Sequence, residues 1–255
     1  MKILGSDYDG TLNRNGIDEK TRAAIAAFRA SGNKFGIVTG RGHPSILFEL
    51  ERNDFYEYDF LVCNTGSAVY SEDKLISSSY ADGAVLPDLY EFIKEMGGRH
   101  MAIGLDEQHH FVIFGRQSDK KEGREDNEVY ITPENLSTFG KFNQVDTSFD
   151  AQDEYAAEFA RQVNERFNGK LSASSNGFCV DIVASGVSKE SGIYKYIAEV
   201  GGVKEKTLTL GDNFNDISML REFGGYVMDT GKKQVIEKIG RTCTDISSLI
   251  KEWHV

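Results

Sequence analysis

Short apolar runs that end in a polar residue recur along the chain, and each run leads into a stretch with helical spacing. Five such runs cover residues 2–5, 35–38, 60–63, 208–210 and 226–228. A continuous apolar run of this length is typical of a strand that is buried on both faces, and alternation with helices is typical of a parallel sheet. The pattern therefore predicts an α/β core.

The helices between these runs carry start and stop signals. Residues 18–30 are rich in alanine, with Asp18 as the expected N-cap and Gly32 as the C-terminal stop. Residues 188–200 place apolar or aromatic side chains on one helix face, at Ile193, Tyr196, Ile197 and Val200. We expect both helices to cover the predicted sheet.

The middle of the chain follows a different pattern. Its expected order is helix, two strands, helix and strand, at residues 86–96, 100–105, 110–115, 153–167 and 178–183. A short turn that contains His109 joins the two adjacent strands, which favours antiparallel pairing. We therefore predict an inserted α+β domain at residues 81–186, and a core formed by residues 1–80 and 187–255.

Polar side chains follow four of the predicted core strands. They are Asp7, Thr39, Asn64 and Asp212. In an open α/β sheet the ligand crevice lies outside the carboxyl ends of the strands. The sequence therefore predicts that these four residues meet at one edge of the sheet.

The net charge of the chain favours some classes of ligand over others. The chain has 40 acidic and 29 basic residues, a formal net charge of −11. This excess argues against a nucleic acid or an anionic membrane as the partner, because both attract Lys and Arg. A small phosphorylated metabolite remains compatible, since one lysine, a metal ion and a few backbone amides reverse the field locally.

The cysteines and the apolar runs favour a cytoplasmic protein. Cys63, Cys179 and Cys243 are scattered and odd in number, as expected for reduced thiols. No run approaches the roughly 20 apolar residues of a membrane span. The N-terminal run turns acidic at Asp7, before a signal-peptide core could form. We expect a monomer or weak homodimer.

Four carboxylates lie at the predicted strand ends: Asp7, Asp9, Asp212 and Asp216. Asp7 and Asp9 are expected to face the same side, and Gly10 allows the chain to turn sharply after them. If the four groups converge, they cannot all stay ionised without a counter-charge. Mg²⁺ suits such oxygen ligands, whereas the sequence has no His/Cys cluster of the kind that zinc prefers.

These residues also suggest a reaction. A carboxylate can attack phosphorus and form an aspartyl-phosphate, which makes Asp7 the candidate nucleophile. Asp9 is in reach to protonate the leaving oxygen and later to activate water. Lys189 can place a positive charge beside the phosphoryl group, and Thr39 with Gly40 offers a hydroxyl and an N–H group at a helix N-terminus. Each feature alone also fits a turn, a helix start, a solvated lysine or a capped loop.

Taken together, the motifs resemble a known family. Residues 7–12 read DYDGTL, residues 38–41 VTGR, residues 186–189 GVSK and residues 211–219 GDNFNDISM. In this order they are similar to the four motifs of the haloacid dehalogenase-like superfamily of phosphatases, in its Cof-type (IIB) sugar-phosphatase-like branch. Residues 64–66, NTG, resemble the asparagine-containing turn common after the third strand in that family.

The resemblance implies a fold and a metal site. The fold is a Rossmann-like doubly wound parallel-sheet core with an inserted α/β cap domain between the second and third motifs. The metal is Mg²⁺, held by the carboxylates of Asp7 and Asp212 and the backbone carbonyl of Asp9, with Asp216 close by.

The resemblance also implies the groups that bind substrate. Phosphate contacts are expected from the backbone of Tyr8 and Gly40 and from the side chains of Thr39, Lys189 and Asn215. Asn64 and Arg41 are further candidates, although Arg41 either orients the substrate or caps a helix. Leaving-group contacts are expected from the cap, where the candidates are His100, His109, His110, Arg116 and Asp181.

Three functions follow from this sequence. The leading hypothesis is Mg²⁺-dependent hydrolysis of a small phosphorylated metabolite, with a sugar phosphate suggested by the family. A phosphomutase would use the same aspartyl-phosphate but return the phosphoryl group to a sugar. A non-catalytic sensor of a phosphorylated ligand is the third hypothesis, although such proteins usually lose a catalytic group and this chain retains Asp7, Asp9, Lys189 and Asp212.

Overall fold

The protein is built from two compact units. A computed structural model describes residues 1–106, 108–113, 128–150 and 153–254, with the backbone alone described for residues 110–113, 128 and 254. The first unit comprises Met1–Ser77 and Ser188–Val255, and the second comprises Ser78–Val187. The junctions lie within three residues of the predicted ones.

The described residues form helices and strands in the following chain order. The helices are α1 (Glu19–Ala30), α2 (His43–Arg52), α3 (Leu86–Glu95), α4 (Asp153–Arg166), α5 (Lys189–Glu199), α6 (Ile217–Glu222), α7 (Lys233–Ile239) and α8 (Ile246–His254). The strands are β1 (Ile3–Ser6), β2 (Lys34–Val38), β3 (Phe60–Cys63), β4 (Ala68–Ser71), β5 (Lys74–Ser78), β6 (Ala81–Asp82), β7 (His100–Leu105), β8 (Gln108–Ile113), β9 (Glu128–Tyr130), β10 (Lys141–Phe142), β11 (Gln144–Ser148), β12 (Leu171–Asn176), β13 (Cys179–Ala184), β14 (Thr207–Gly211), β15 (Tyr226–Met228) and β16 (Thr242–Cys243).

The first unit contains an eight-stranded sheet in the order β16-β15-β14-β1-β2-β3-β4-β5. The six strands from β16 to β3 pair in parallel, and β4 is antiparallel to β3. All five predicted core runs are strands of this sheet, which confirms the α/β prediction. The β4–β5 pair at the edge was not predicted, because two strands linked by a tight turn lack the intervening helix that marked the others.

Helices cover both faces of this sheet. One face packs against α1, α2 and α8 through Ile25, Phe28, Ile46, Leu50 and Leu249. The other packs against α5, α6 and α7 through Ile193, Tyr196, Met219, Leu220 and Val235. Neighbouring residues of one strand contribute to opposite faces, as alternation in a strand requires. The core is therefore doubly wound, as predicted.

The N-cap and the C-terminal glycine that were predicted for α1 are both present. Asp18 lies outside the helix with extended backbone, and its carboxylate accepts a 2.8 Å hydrogen bond from the Thr21 amide. That hydrogen bond is the main cause of the lowered pKa of Asp18. Beyond the C-terminus, Gly32 adopts φ +79°, a conformation that L side chains rarely adopt.

The second unit contains a six-stranded sheet in the order β12-β13-β11-β7-β8-β9 and a two-stranded ladder of β6 and β10. Its helices α3 and α4 share a buried apolar cluster with the sheet, which includes Leu89, Ile93, Met101, Phe142 and Phe159. The strands β7 and β8 pair antiparallel, as predicted. This unit is the α+β insertion that the pattern indicated.

The position predicted for His109 was wrong. Leu105 pairs with Gln108, so the turn between β7 and β8 comes before Gln108. His109 is inside β8, where it pairs with Gly104. Two consecutive histidines suggested a polar loop, whereas Asp106 supplies the left-handed turn residue with φ +54°.

Two residues of the second unit that were predicted to contact the leaving group lie within hydrogen-bonding distance of side chains in their own sheet. His100 lies 3.1 Å from the Asp146 carboxylate and 3.3 Å from the Ser148 hydroxyl, and Asp181 accepts a 3.2 Å hydrogen bond from Gln144. The side chain of His110 and all of Arg116 lie outside the described residues.

Among the described helices, none combines the length and apolar character needed to cross a bilayer.

Candidate active site

Four neighbouring strands deliver the predicted polar residues to one edge of the sheet. Asp7 directly follows β1, Thr39 follows β2, Asn64 follows β3 and Asp212 follows β14. The sheet order β14-β1-β2-β3 makes these four strand ends adjacent. The edge that the sequence predicted is therefore assembled by the fold of the first unit.

Three carboxylates converge at this edge. One oxygen each from Asp7, Asp212 and Asp216 lies within 4.8 Å of the others. Asp216 is fully buried and Asp7 is 6% exposed. Grouping three acidic side chains, two of them buried, is unfavourable unless a positive charge offsets them.

Lys189 provides part of that positive charge. Its Nζ atom lies 2.6 Å from Asp7 Oδ1 and 2.6 Å from Asp216 Oδ1, and the residue is 1% exposed. Lys189 begins α5 directly after the N-cap Ser188, so the helix start aims the side chain at the strand ends. Burial alone would lower the pKa of Lys189, but the two carboxylates outweigh burial and raise it.

The pKa values of two of these carboxyl groups are raised. Burial raises the pKa of Asp7, the adjacent Asp216 and Asp212 add to the rise, and Lys189 opposes it. Burial, followed by the charge of Asp216, raises the pKa of Asp212 to about 6. Repulsion between the carboxylates therefore adds to burial in favouring the protonated forms of Asp7 and Asp212.

The loop after β1 places Asp9 apart from this group. Asp9 is 47% exposed at its side chain, and both its oxygens bind Arg41, at 2.7 Å from Nε and 2.8 Å from Nη2. The strand β1 ends at Ser6, so strand alternation does not extend from Asp7 to Asp9. Arg41 also lies 3.3 Å from the Ser45 hydroxyl. Its guanidinium thus holds the Asp9 carboxylate rather than capping a helix.

A glycine makes the loop approach Asp212 closely. Gly10 has φ +83°, and a Cβ atom there would lie 2.6 Å from Asp212 Oδ2. The loop closes through hydrogen bonds from the Leu12 amide to the Asp7 carbonyl and from the Asn13 amide to the Tyr8 carbonyl, at 3.2 and 2.8 Å. Only glycine combines this conformation with this contact.

The side chain of Tyr8 points into the core. It is fully buried, and its hydroxyl donates to the Glu49 carbonyl at 3.3 Å and accepts from Asn13 and Asn53 at 3.2 and 3.0 Å. Burial raises the pKa of Tyr8. Any role of Tyr8 at the site therefore belongs to its backbone.

The predicted phosphate-binding residues lie at the same strand ends. Thr39 is 1% exposed, and its hydroxyl accepts a 3.1 Å hydrogen bond from the Arg41 amide. Gly40 lies between them in the loop that leads to α2. Asn64 and Asn215 are both buried polar residues, at 2% and 8% exposure.

Three hydrogen bonds of the site were not predicted. The Thr11 hydroxyl donates to Asp212 Oδ1 at 3.0 Å, and Asp216 Oδ2 accepts from the amides of Asp212 and Asn213 at 2.9 and 3.0 Å. The position of Thr11 inside the first motif was the available signal. For Asp216 it was the spacing of three residues from Asn213, which is typical of a capping box.

The donor set fits Mg²⁺. The clustered ligand atoms are all carboxylate oxygens, which suit a hard divalent cation. Burial is the main cause of the raised pKa values of Asp7 and Asp212, and the charge of Asp216 adds to it, so a bound cation would oppose both effects. Asp216 also anchors the loop through two amides, so Asp7 and Asp212 are the more available ligands.

Comparison with known proteins agrees with this geometry. The model of a family described as haloacid dehalogenase-like hydrolase matches residues 4–247. The chain is 25% identical to the pyridoxal phosphate phosphatase YbhA of Escherichia coli (strain K12), over 96% of this chain and 95% of that protein.

Solved structures share the fold. The HAD subclass IIB sugar phosphatase BT4131 has a TM-score of 0.80 at 22% identity, covering 100% of this chain and 99% of its own. The phosphatase BT1666 from Bacteroides thetaiotaomicron has a TM-score of 0.76 at 22% identity, covering 100% of this chain and 94% of its own. The family resemblance inferred from the four motifs is confirmed: the chain belongs to the haloacid dehalogenase-like hydrolases.

Proposed function

We propose that the protein hydrolyses a small phosphomonoester through an aspartyl-phosphate on Asp7. The observation that carries this proposal is the buried Asp7 carboxylate, 2.6 Å from Lys189 and grouped with Asp212. A carboxylate that is excluded from bulk water beside a fixed ammonium group is suited to attack an anionic phosphoryl group. Its backbone is fixed as well, since the Asp7 amide donates to the Leu210 carbonyl at 2.9 Å.

In the first step, an oxygen of Asp7 forms a bond to phosphorus while the bond from phosphorus to the leaving oxygen breaks. The leaving oxygen keeps the electron pair and takes a proton from Asp9. In the second step, water attacks phosphorus, Asp9 accepts the proton of that water, and Asp7 is released with inorganic phosphate. Lys189 and Thr39 bind the phosphoryl oxygens in both steps.

Asp9 must leave Arg41 to serve these steps. Both oxygens of Asp9 are engaged by the Arg41 guanidinium, so transfer of a proton to the leaving group requires the ion pair to open. Arg41 then becomes available to the substrate. This arrangement accommodates the role that the sequence suggested for Arg41 in orienting the substrate.

The residues that would hold Mg²⁺ are Asp7, Asp212, the Asp9 carbonyl and, in support, Asp216. When bound, the ion supplies positive charge that offsets the phosphoryl oxygens and the acidic group. Asn215, Gly40, Asn64 and the Tyr8 backbone complete the proposed phosphate-binding surface. We also assign the choice of leaving group to the inserted unit, Ser78–Val187, as the cap domain of this family.

For the substrate class we propose a sugar phosphate first and pyridoxal phosphate second. The first rests on the family branch to which the motifs are similar. The second rests on the name of the relative YbhA, a pyridoxal phosphate phosphatase that aligns over nearly the whole chain. Both are small phosphomonoesters, so one chemical step serves either.

The test is release of inorganic phosphate from a panel of phosphorylated sugars, nucleotides and pyridoxal phosphate, with Mg²⁺ and with a chelator. We expect Mg²⁺-dependent release, with kcat/KM highest for one class. Release that needs no sugar bisphosphate excludes the mutase hypothesis. Binding of phosphorylated ligands without any release would overturn hydrolysis and favour the sensor.

A further inference from the structure

Three consecutive residues after β3 have left-handed backbone. Asn64 has φ +49°, Thr65 has φ +53° and ψ +29°, and Gly66 has φ +102°. Asparagine and glycine tolerate this region, but a β-branched threonine is strained there. Such strain persists only where the surrounding structure imposes it, and it is found at functional sites.

One side of this turn is fixed to the loop that carries Thr39. The Thr65 amide donates to the Thr39 carbonyl at 3.1 Å, and the Asn64 amide donates to the Arg41 carbonyl at 2.9 Å. Successive amides point to the same side because the backbone between them is left-handed. With ordinary strand backbone, neighbouring amides point to opposite sides and cannot both reach this loop.

The other side of the turn touches the start of α5. A Cβ atom on Gly66 would lie 1.9 Å from the Ser188 carbonyl oxygen and 3.2 Å from the Lys189 amide nitrogen. A Cβ atom on Gly192 would lie 3.0 Å from the Gly66 Cα atom. The two backbones are therefore in direct contact, at the residue that precedes Lys189.

We propose that the Asn64–Gly66 turn is a spacer that sets the separation between Thr39 and Lys189, with Thr65 and Gly66 as positioning residues. The turn is the element that contacts the carbonyl of Thr39 on one side and the backbone beside Lys189 on the other. Thr65 is 4% exposed, so its side chain is enclosed and the turn has little freedom to relax. The inference rests on the proposed function only in assigning phosphate binding to Thr39 and Lys189.

The test compares variants of two glycines that have nearly equal φ angles. Gly66 has φ +102° and Gly16 has φ +100°, but a Cβ atom on Gly16 would meet nothing within 4 Å. Gly16→Ala therefore reports the strain of the backbone alone. Gly66→Ala introduces the same backbone strain, and its methyl group must also displace Ser188 and Lys189.

We expect Gly16→Ala to lower the melting temperature and to keep kcat/KM within about twofold of the wild type. For Gly66→Ala we expect kcat/KM to fall by about 100-fold and the Ki of inorganic phosphate to rise by about tenfold, because a displacement of about 1 Å has effects of this size. In its crystal structure, the separation of Thr39 Oγ1 and Lys189 Nζ should change by about 0.5 Å or more. Loss of stability alone would not change the Ki.

A second variant covers the case in which Gly66→Ala does not fold. Thr65→Gly removes the strain and the enclosed side chain, and should raise the phosphate Ki several-fold while the fold is kept. An unchanged Ki together with an unchanged separation of Thr39 and Lys189 would overturn the spacer. A wild-type protein that releases no phosphate would contradict the proposed function, whereas the separation measured in the variants would still decide the inference.

Discussion

At the scale of single residues, the site depends on a buried lysine shared by two carboxylates. Lys189 contacts Asp7 and Asp216 at equal distances of 2.6 Å. Removing one partner of a buried ion pair leaves a charge without compensation, which costs about 3–5 kcal/mol. A lysine with two partners can lose one of them and remain paired. The effects of substitutions at these three residues should therefore differ.

We predict that Asp7→Asn abolishes turnover while the fold is kept. Kcat should fall by about 10³-fold or more because an amide cannot act as the nucleophile. Lys189 retains Asp216, so the melting temperature should change little. The measurements are phosphate release and thermal unfolding. Retained turnover in a sample verified by mass spectrometry would remove Asp7 from the nucleophile role.

Lys189→Met is the variant to compare with Asp7→Asn, because it removes the positive charge of the group. It leaves the carboxylates of Asp7, Asp212 and Asp216 without their cation, so it should lower the free energy of unfolding by more than Asp7→Asn does. Equal losses in both variants would contradict the shared-lysine arrangement.

A second prediction concerns Arg41 and its two hydrogen bonds to Asp9. Arg41 keeps the Asp9 carboxylate in place until the ion pair opens, so its loss should misplace the acid. Arg41→Ala should therefore lower kcat more for an alkyl phosphate than for para-nitrophenyl phosphate, which needs less help from an acid. We expect a difference of about tenfold between the two substrates, the low end of the usual contribution of an acid catalyst. Arg41→Lys should recover little of it, because an ammonium group cannot form the two-pronged contact.

Asp9→Asn is the reference for that experiment. It should show the same substrate dependence in larger measure, and it should slow breakdown of the aspartyl-phosphate. Equal losses on both substrates in Arg41→Ala would show that Arg41 acts on binding alone.

At the scale of elements, close packing of strands and helices limits which residues fit. Gly36 lies in β2, and a Cβ atom there would lie 2.3 Å from the ring of Phe60 on β3. That ring stacks on Tyr196 of α5 with centroids 3.8 Å apart and planes at 18°. The ring is therefore enclosed between a strand and a helix, and has no space into which it could retreat.

We predict that Gly36→Ala destabilises the first unit by about 1–3 kcal/mol, as overpacking of a core does. Urea unfolding would measure this loss. Gly140→Ala is the control, since a Cβ atom there meets nothing within 4 Å. Adding Phe60→Leu to Gly36→Ala should recover part of the loss, and additive losses in the double variant would contradict the steric explanation.

At the scale of the whole molecule, the acidic group links stability to pH and to divalent cations. The pKa of Asp212 is raised to about 6, so the folded state binds this proton more tightly than the unfolded state does. The stabilising contribution of this protonation is complete at low pH and is lost as the pH rises through about 4 to 6. Above that range, a cation that binds the folded state should restore the loss.

We therefore predict that Mg²⁺ raises the melting temperature of the wild type more at about pH 7.5 than at about pH 5, because protons compete for the same oxygens. At a concentration about 100 times its Kd, the ion should add about 2.7 kcal/mol, a shift of several degrees. The measurement is thermal unfolding with Mg²⁺ or with a chelator. Asp212→Asn should lose most of the shift, and a full shift in that variant would exclude Asp212 as a ligand.

Much of this protein follows from local sequence. The five apolar runs became strands with little change in their limits, and Asp18 caps α1, because burial of a strand and capping of a helix depend on neighbouring residues. The apolar runs that precede Asp7, Thr39, Asn64 and Asp212 predicted that these residues lie at one edge of the sheet. Parallel strands with helical crossovers leave their carboxyl ends on one side, so this placement required no tertiary information.

Other features were decided only by the tertiary structure. The Arg41–Asp9 ion pair joins residues that are 32 positions apart in the sequence. The contact of Gly66 with Ser188 joins a residue that precedes the inserted unit in the sequence to one that follows it. Local periodicity carries no information on such pairs, because they form only when separate strand ends and helix starts are packed together. The sequence determined which groups reach the site, and the packing of β2, β3 and α5 decided which of them touch.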